Sequence, residues 1–331
     1  MSSFFVPLPG STAPSFRSST LLLPQPSLSS LAQLSADLLV HNCPFELVGY
    51  LGLSDFVPAV GGRDGLPGKE AKQEFSFSCE AYHLPAAGSR PALTLVLPRS
   101  PVIVARREHY LRSLKQWVEQ EGVEELLVVA GVDAALRGDD ALASPTPLRH
   151  FLLPTPSSSP SSSTSTLASR LASVSPAYLV SPTATQLPLF PHGGLTRRLL
   201  STFLPSSSSS SSPSSSSEQA PSPTVGALTI YTAEGDALPS AFLLADALSY
   251  VLQLEDASQA AGVEEAVAIE RLKLSQAEAG VDLADVAAAA AAGAGQGGGE
   301  GSGRKWKTPK SWERGLMGVE LNRDVGKEMF G

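Results

Sequence analysis

The residues best placed to do chemistry in this 331-residue chain follow the apolar run Leu126-Leu-Val-Val-Ala130: Asp133, Arg137, Asp139 and Asp140. The carboxyl end of a parallel strand is where open α/β sheets bind small molecules. Asp133 and Arg137 are therefore the catalytic candidates, while Asp139-Asp140 also reads as a solvated turn. Two glycine pairs, Gly61-Gly62 and Gly193-Gly194, could bring backbone N–H groups to an anion, Gly193-Gly194 at the start of a helix. Neither lies in the G-x-x-x-x-G-K-[ST] or G-x-G-x-x-G pattern that a phosphate cradle requires, so each also reads as a tight loop. The five histidines, His41, His83, His109, His150 and His192, are scattered singly, without metal-ligand spacing. No G-x-S-x-G elbow presents a nucleophilic serine. Cys43 and Cys79 show no CxxC or Cys/His spacing, which points to a reducing compartment. No catalytic constellation, metal site or cofactor motif emerges.

The elements that would position these groups follow from periodicity. Residues 20–24, an apolar run closed by Pro24, read as a buried strand. Residues 28–41 read as a helix, with Leu31, Leu34, Leu38 and Leu39 on one face and Ser29 or Ser30 as cap. Strands are expected over 45–51, over 75–84 (Phe75, Phe77, Cys79 and Ala81 on one side) and over 93–97, with a loop around 58–62. The clearest helix spans 108–121, where Leu111, Leu114, Trp117 and Val118 form a stripe ended by Gly122. The almost wholly apolar strand 126–130 follows. That strand–helix–strand order is a parallel βαβ unit and argues for an α/β sandwich. Further on come a short apolar piece at 177–180, a helix at 195–203, a strand at 227–231, a helix at 241–254 and a more polar helical piece at 262–276.

Composition sets the outer limits. A hydrophobic fraction of 42% supports a sizeable core, and a net charge of −8 argues against a general nucleic-acid or membrane-surface binder. The first residues lack a basic start followed by an apolar run, and no stretch approaches the roughly 20 apolar residues of a membrane span. A soluble intracellular protein is the expectation. Residues 155–166 and 205–217 are serine-dominated and 280–303 is rich in Ala and Gly, so these read as disordered inserts within one domain over 1–331. A tail over 304–331 follows, with two of the chain's three tryptophans, Trp306 and Trp312. Its last residues, Met329-Phe330-Gly331, are apolar, aromatic and small, a pattern suited to capture of a peptide end in a pocket.

Several short segments together resemble the proteasome assembly chaperone 2 family. They include Thr20-Leu-Leu-Leu-Pro24, Val48-Gly-Tyr-Leu51, Val57-Pro-Ala-Val-Gly61, Glu80-Ala-Tyr82, Leu97-Pro-Arg-Ser100 and Trp117. Pro147-Leu-Arg-His-Phe-Leu-Leu-Pro154, Gly193-Gly-Leu-Thr196, Glu234-Gly-Asp-Ala-Leu-Pro239 and Trp306-Lys-Thr-Pro-Lys-Ser-Trp312 continue the series in family order. The resemblance implies a three-layer α/β/α sandwich with a mostly parallel central sheet, phosphorylase-like in architecture but without that activity. It also implies a cytoplasmic and nuclear chaperone that pairs with an assembly chaperone 1 homologue, binds the proteasome α-subunits and promotes 20S core particle assembly. Family partners insert a C-terminal hydrophobic–tyrosine–any motif between α-subunits. Met329, Phe330 and Gly331 match it with phenylalanine in place of tyrosine, which removes one hydrogen bond worth about 1 kcal/mol and keeps the ring. The alternative is a small-molecule enzyme, binding a nucleoside or phosphate, that uses Asp133 and Arg137.

Overall fold

The computed structural model describes residues 3–64, 74–144, 146–154, 166–178, 187–188, 190–191, 193–204, 222–233, 235, 237–254 and 306–314. Residues 205–217, 280–303 and 262–276, all but Thr166 of the first serine-rich stretch, and Met329, Phe330 and Gly331 lie outside that set. Among the described residues ten strands are formed: β1 (Phe5–Pro7), β2 (Thr20–Pro24), β3 (Glu46–Leu51), β4 (Val60–Arg63), β5 (Glu74–Phe77), β6 (Cys79–Leu84), β7 (Leu93–Pro98), β8 (Glu125–Asp133), β9 (Leu148–Leu152) and β10 (Thr224–Thr232). The α-helices among the described residues are α1 (Leu31–Asn42), α2 (Arg107–Glu121), α3 (Asp139–Leu142), α4 (Thr166–Val174), α5 (Thr196–Thr202), α6 (Leu238–Val251) and α7 (Lys310–Arg314).

Eight strands form one sheet in the order β1-β3-β6-β7-β2-β8-β10-β9, and β4 pairs with β5 in a separate hairpin. The four central strands β7, β2, β8 and β10 run parallel. Antiparallel partners flank them, β6, β3 and β1 on one side and β9 on the other. Five of the eight strands thus point one way. Such central strands must be covered on both faces, which is why β2 and β7 are buried throughout and β8 everywhere but Asp133.

Side-chain alternation divides the core into two layers. Leu22, Leu95, Leu127, Val129 and Leu228 meet α1, α4 and α6 on one face. Leu21, Leu23, Val96, Leu126 and Val128 meet α2 and α5 on the other, where Phe5, Phe16 and Trp117 stack edge to ring. This is the three-layer α/β/α sandwich. Each fully buried leucine contributes about 1.5–3 kcal/mol of transfer energy. The α2 stripe is buried as its spacing requires, and Gly122 ends the helix in the left-handed region at φ 68°, its N–H returning to Val118 and Glu119 carbonyls.

Three local departures from the sequence pattern have physical causes. The run 75–84 is two strands broken at Ser78, because Phe75 and Phe77 pair with β4 while Cys79 and Ala81 pair within the main sheet. Residues 60–62, expected as loop, form most of β4. Ser30 occupies the N-cap position of α1, but its side chain caps nothing; both Ser29 and Ser30 are left-handed, at φ 55° and 52°, and Ser29 Oγ donates to Ala233 O instead.

Candidate functional site

At the carboxyl end of β8 two of the four candidate residues do structural work. Asp133 Oδ1 accepts from Ala135 N at 2.8 Å and so caps the single 3₁₀ turn that follows. Arg137 Nε donates to Ala134 O, and its guanidinium lies 5.9 Å from the centre of the Tyr231 ring. Asp139 and Asp140 open the four-residue α3. The structure therefore gives Asp133 and Arg137 roles in turn and packing.

Gly193-Gly194 precedes α5, which has seven residues. A Cβ on Gly194 would lie 3.0 Å from Pro26 O, and its φ of +58° is left-handed. The pair is glycine because the loop crosses tightly beneath Pro26, the bland alternative to an anion cradle.

Two charged clusters appear that the sequence pattern did not group. In the first, Asp55 Oδ1 accepts from Arg106 Nε and His109 Nδ1, each at 2.8 Å. Asp55 is fully buried, and its Oδ2 has no hydrogen-bond partner among the described residues. The cluster clamps the turn after β3 to the start of α2.

The second is an alternating chain of cations and anions on the α1 face. Glu80 on β6, with a side-chain exposure of 0%, accepts from Arg63 through Oε1 and from Arg99 Nε at 3.2 Å and Tyr82 Oη at 2.9 Å through Oε2. Arg99 also donates from Nη1 to Asp37 Oδ1 at 2.7 Å. Burial alone would lower the Arg99 pKa, but the Asp37 charge foremost, with that of Glu80, outweighs it and holds the guanidinium charged. Burial, then the Glu80 charge, pushes the Tyr82 hydroxyl up, so it remains a donor. Glu80, Tyr82 and Arg99 all lie in segments that carry the family resemblance. Their partners lie on β4, α1 and the β7–α2 loop, which periodicity cannot connect.

The tryptophan block closes over this network. Ser311 N and Oγ donate to Asp64 Oδ2, at 3.1 and 2.5 Å. Asn42 exchanges two hydrogen bonds with the Lys307 backbone, and Trp306 Nε1 donates to Asp246 Oδ1 at 2.7 Å. Trp312 is buried in the layer formed with α1 and α6. Residues 306–312 thus belong to the folded body, and a 90 Å³ cavity lined by Asp37, His41, Arg63, Asp64, Arg99 and Ser311 is left beneath them.

Burial lowers the pKa of His41, His83 and His150; for His83 the neighbouring Arg90 charge lowers it further. The lowering prevails over the Asp37 charge at His41 and over the Ser175 carbonyl that accepts from His150 Nδ1 at 2.8 Å. A depressed histidine is neutral in the fold while the unfolded chain still takes up a proton, so these groups favour folding fully above about pH 6.5 and progressively less below it. The melting temperature should fall as pH is lowered from 7.5 to about 5.5. Calorimetry across that window checks this, and a flat or rising profile contradicts it.

A model of the PAC2 family matches residues 21–290. Proteasome assembly chaperone 2 of Danio rerio is 26% identical over 246 residues, covering 74% of this chain and 86% of that protein. The Bos taurus protein of the same name is 27% identical over 250 residues, covering 76% and 87%. In Homo sapiens the counterpart is 32% identical over 155 residues, covering 47% of this chain and 56% of the relative. Among solved structures, PbaA of Pyrococcus furiosus, described as an archaeal homolog of proteasome-assembly chaperone, aligns over 80% of this chain and 97% of its own at a TM-score of 0.46 and 11% identity. With a family model running from β2 far past α6, and relatives aligned along three-quarters of the sequence, the chain belongs to the PAC2 family.

Proposed function

We propose that this chain is a non-enzymatic proteasome assembly chaperone subunit. It pairs with an assembly chaperone 1 homologue, and the pair binds the α-ring and promotes 20S core particle assembly in the cytoplasm and nucleus. The observation that carries the reading is the match to proteasome assembly chaperone 2 proteins over 86–87% of their own length. The structural use of Asp133 and Arg137 favours it over a nucleoside- or phosphate-handling enzyme. Exposed apolar residues agree with a protein-binding role: Phe75 on the β4–β5 hairpin is 63% exposed and Val104, before α2, is 71% exposed, with Val57 and Val60 also at the surface.

Co-expression with an assembly chaperone 1 homologue should yield a 1:1 complex that retains proteasome α-subunits on affinity resin. A purified chain that stays monomeric and ignores both partners would sink the reading. Deleting Met329 to Gly331 should weaken α-ring retention about tenfold or more while leaving the heterodimer intact, since an aromatic anchor in a pocket dominates such docking. Unchanged retention would remove the tail from the mechanism and leave the pairing.

A further inference from the structure

We propose that the cavity at the carboxyl ends of β2 and β7 is a binding site for a small one-ring aromatic carboxylate. This site is independent of the proteasome reading. The two strands are adjacent and parallel, yet the chain leaves β2 for α1 on one face and leaves β7 for α2 on the other. Where neighbouring connections diverge in this way, a crevice opens outside the strand ends. Gln25 and Pro26 after β2, and Pro98 and Pro101 at the end of β7, border a cavity of about 190 Å³ here.

Size and lining select the ligand. A cavity of roughly 150 Å³ accepts benzene, whereas drug-sized ligands occupy about 300 Å³ or more. The space therefore fits one ring with a short substituent and is too small for a nucleoside. The walls are apolar and aromatic: Phe56 and Tyr110 meet edge to face at 5.2 Å, and Val102 and Leu195 lie beside them. Such walls favour a ring over a bare anion.

Two polar residues break the apolar lining, Gln25 and Arg107. Gln25 is 3% exposed, and its carboxamide makes no hydrogen bond among the described residues. Its polar atoms open onto the cavity, where a ligand can bond them. A water molecule could answer the amide but would leave the aromatic walls unfilled. Arg107, half-buried in the first turn of the 15-residue α2, has no ion-pair partner among the described residues. A guanidinium at a helix amino end is a strong attractor of a carboxylate. The ring would occupy the Phe56–Tyr110 side and the carboxylate would reach Arg107, with Gln25 bonding its second oxygen or a ring substituent.

Isothermal titration of sodium benzoate into the purified full-length chain tests the site, with benzamide and inorganic phosphate as comparison probes. Saturable one-to-one binding is expected with a Kd on the order of 1 mM, reasonable for nine heavy atoms. Benzamide should bind several-fold more weakly, and phosphate should show no saturation. Arg107→Gln, a change on a half-buried side chain, should weaken benzoate about tenfold and leave benzamide unchanged. Gln25→Leu should lose both ligands, and its thermal unfolding should be checked to separate lost binding from lost folding. No saturation by benzoate at roughly ten times the expected Kd overturns the proposal. So does phosphate binding as well as benzoate, which would make Arg107 a plain anion contact, or an Arg107→Gln variant with undiminished affinity.

Discussion

Glu80→Ala should cost the fold about 3–5 kcal/mol and lower the melting temperature by about 10 °C or more. Among the described residues Glu80 is the one anion that touches Arg63, Arg99 and the Tyr82 hydroxyl at once, and none of its side chain reaches solvent. Its removal takes one carboxylate partner from the Arg63 guanidinium, whose side chain is only 5% exposed and which keeps its bond to Phe75 O. A buried charge that loses its partner pays nearly the full desolvation penalty, whereas an intact pair roughly breaks even. Against a total stability of about 5–15 kcal/mol, the loss is a third or more. Chemical denaturation measures it directly, and a loss below about 1 kcal/mol would show that water enters and solvates the cations.

The same reasoning orders the neighbouring substitutions. Glu80→Gln keeps the shape but removes the negative charge that Arg63 and Arg99 share, so it should fall close to Glu80→Ala. Asp37→Asn should cost less, because Asp37 and Arg99 retain side-chain exposures of 16% and 25% and water can replace part of their interaction. Removing Arg63 and Glu80 together should cost less than the sum of the single changes, since the two side chains interact directly and their ion pair is lost only once.

How much of this was legible in the sequence depends on how each element is buried. The strand at β8 and the α2 stripe were legible because each buries residues at its own period, and Gly122 marks the helix stop. Strand β9 escaped because Arg149 and His150 interrupt its apolar pattern. Both are nonetheless buried, since Arg149 donates to the carbonyls of Thr146 and Leu148, and His150 to that of Ser175. Local pattern reports hydrophobicity, whereas these side chains are admitted by hydrogen bonds that only the fold supplies. The β4–β5 hairpin escaped for a different reason: two of the four β4 residues are glycine, so the strand has little side-chain signature. For the site, the family-matching segments marked Glu80, Tyr82 and Arg99, but their chain of partners joins residues separated by 17 to 62 positions. Asp133 and Arg137 were legible as residues at a strand end; that they cap and cover a turn is a matter of geometry alone. Gln25 and Arg107 carried no signal at all, because the cavity between them comes from two loops diverging at one point of the sheet.

Trp312→Ala should act locally where Glu80→Ala acts globally. Trp312 is 5% exposed and packs into the layer shared with α1 and α6. Truncating a buried tryptophan costs about 3–5 kcal/mol when the surrounding structure must stay in place. Here it need not. The segment 306–314 contributes no strand to the sheet, and besides Trp312 it is held by contacts that include Trp306 packed on the same layer and hydrogen bonds of Trp306 to Asp246, Asn42 to Lys307 and Ser311 to Asp64. Once the lost packing energy exceeds what those hydrogen bonds supply, the segment detaches and the sheet survives, which limits the fall in melting temperature. The expected result is a fall of only a few degrees, together with cleavage by trypsin between Lys310 and Ser311 accelerated on the order of a hundredfold, as a loss of about 3 kcal/mol in closing energy dictates. Ser311→Ala, which removes one exposed hydrogen bond to Asp64, should accelerate the same cleavage less than tenfold. Release would also uncover the Asp37–Arg99–Glu80 chain to water, so the cost of Glu80→Ala should shrink in the Trp312→Ala background. A Glu80→Ala cost that is undiminished there, or a Trp312→Ala variant that melts as far below the parent as Glu80→Ala with no gain in cleavage at Lys310, would mean that the block is an integral part of the core and does not detach as a unit.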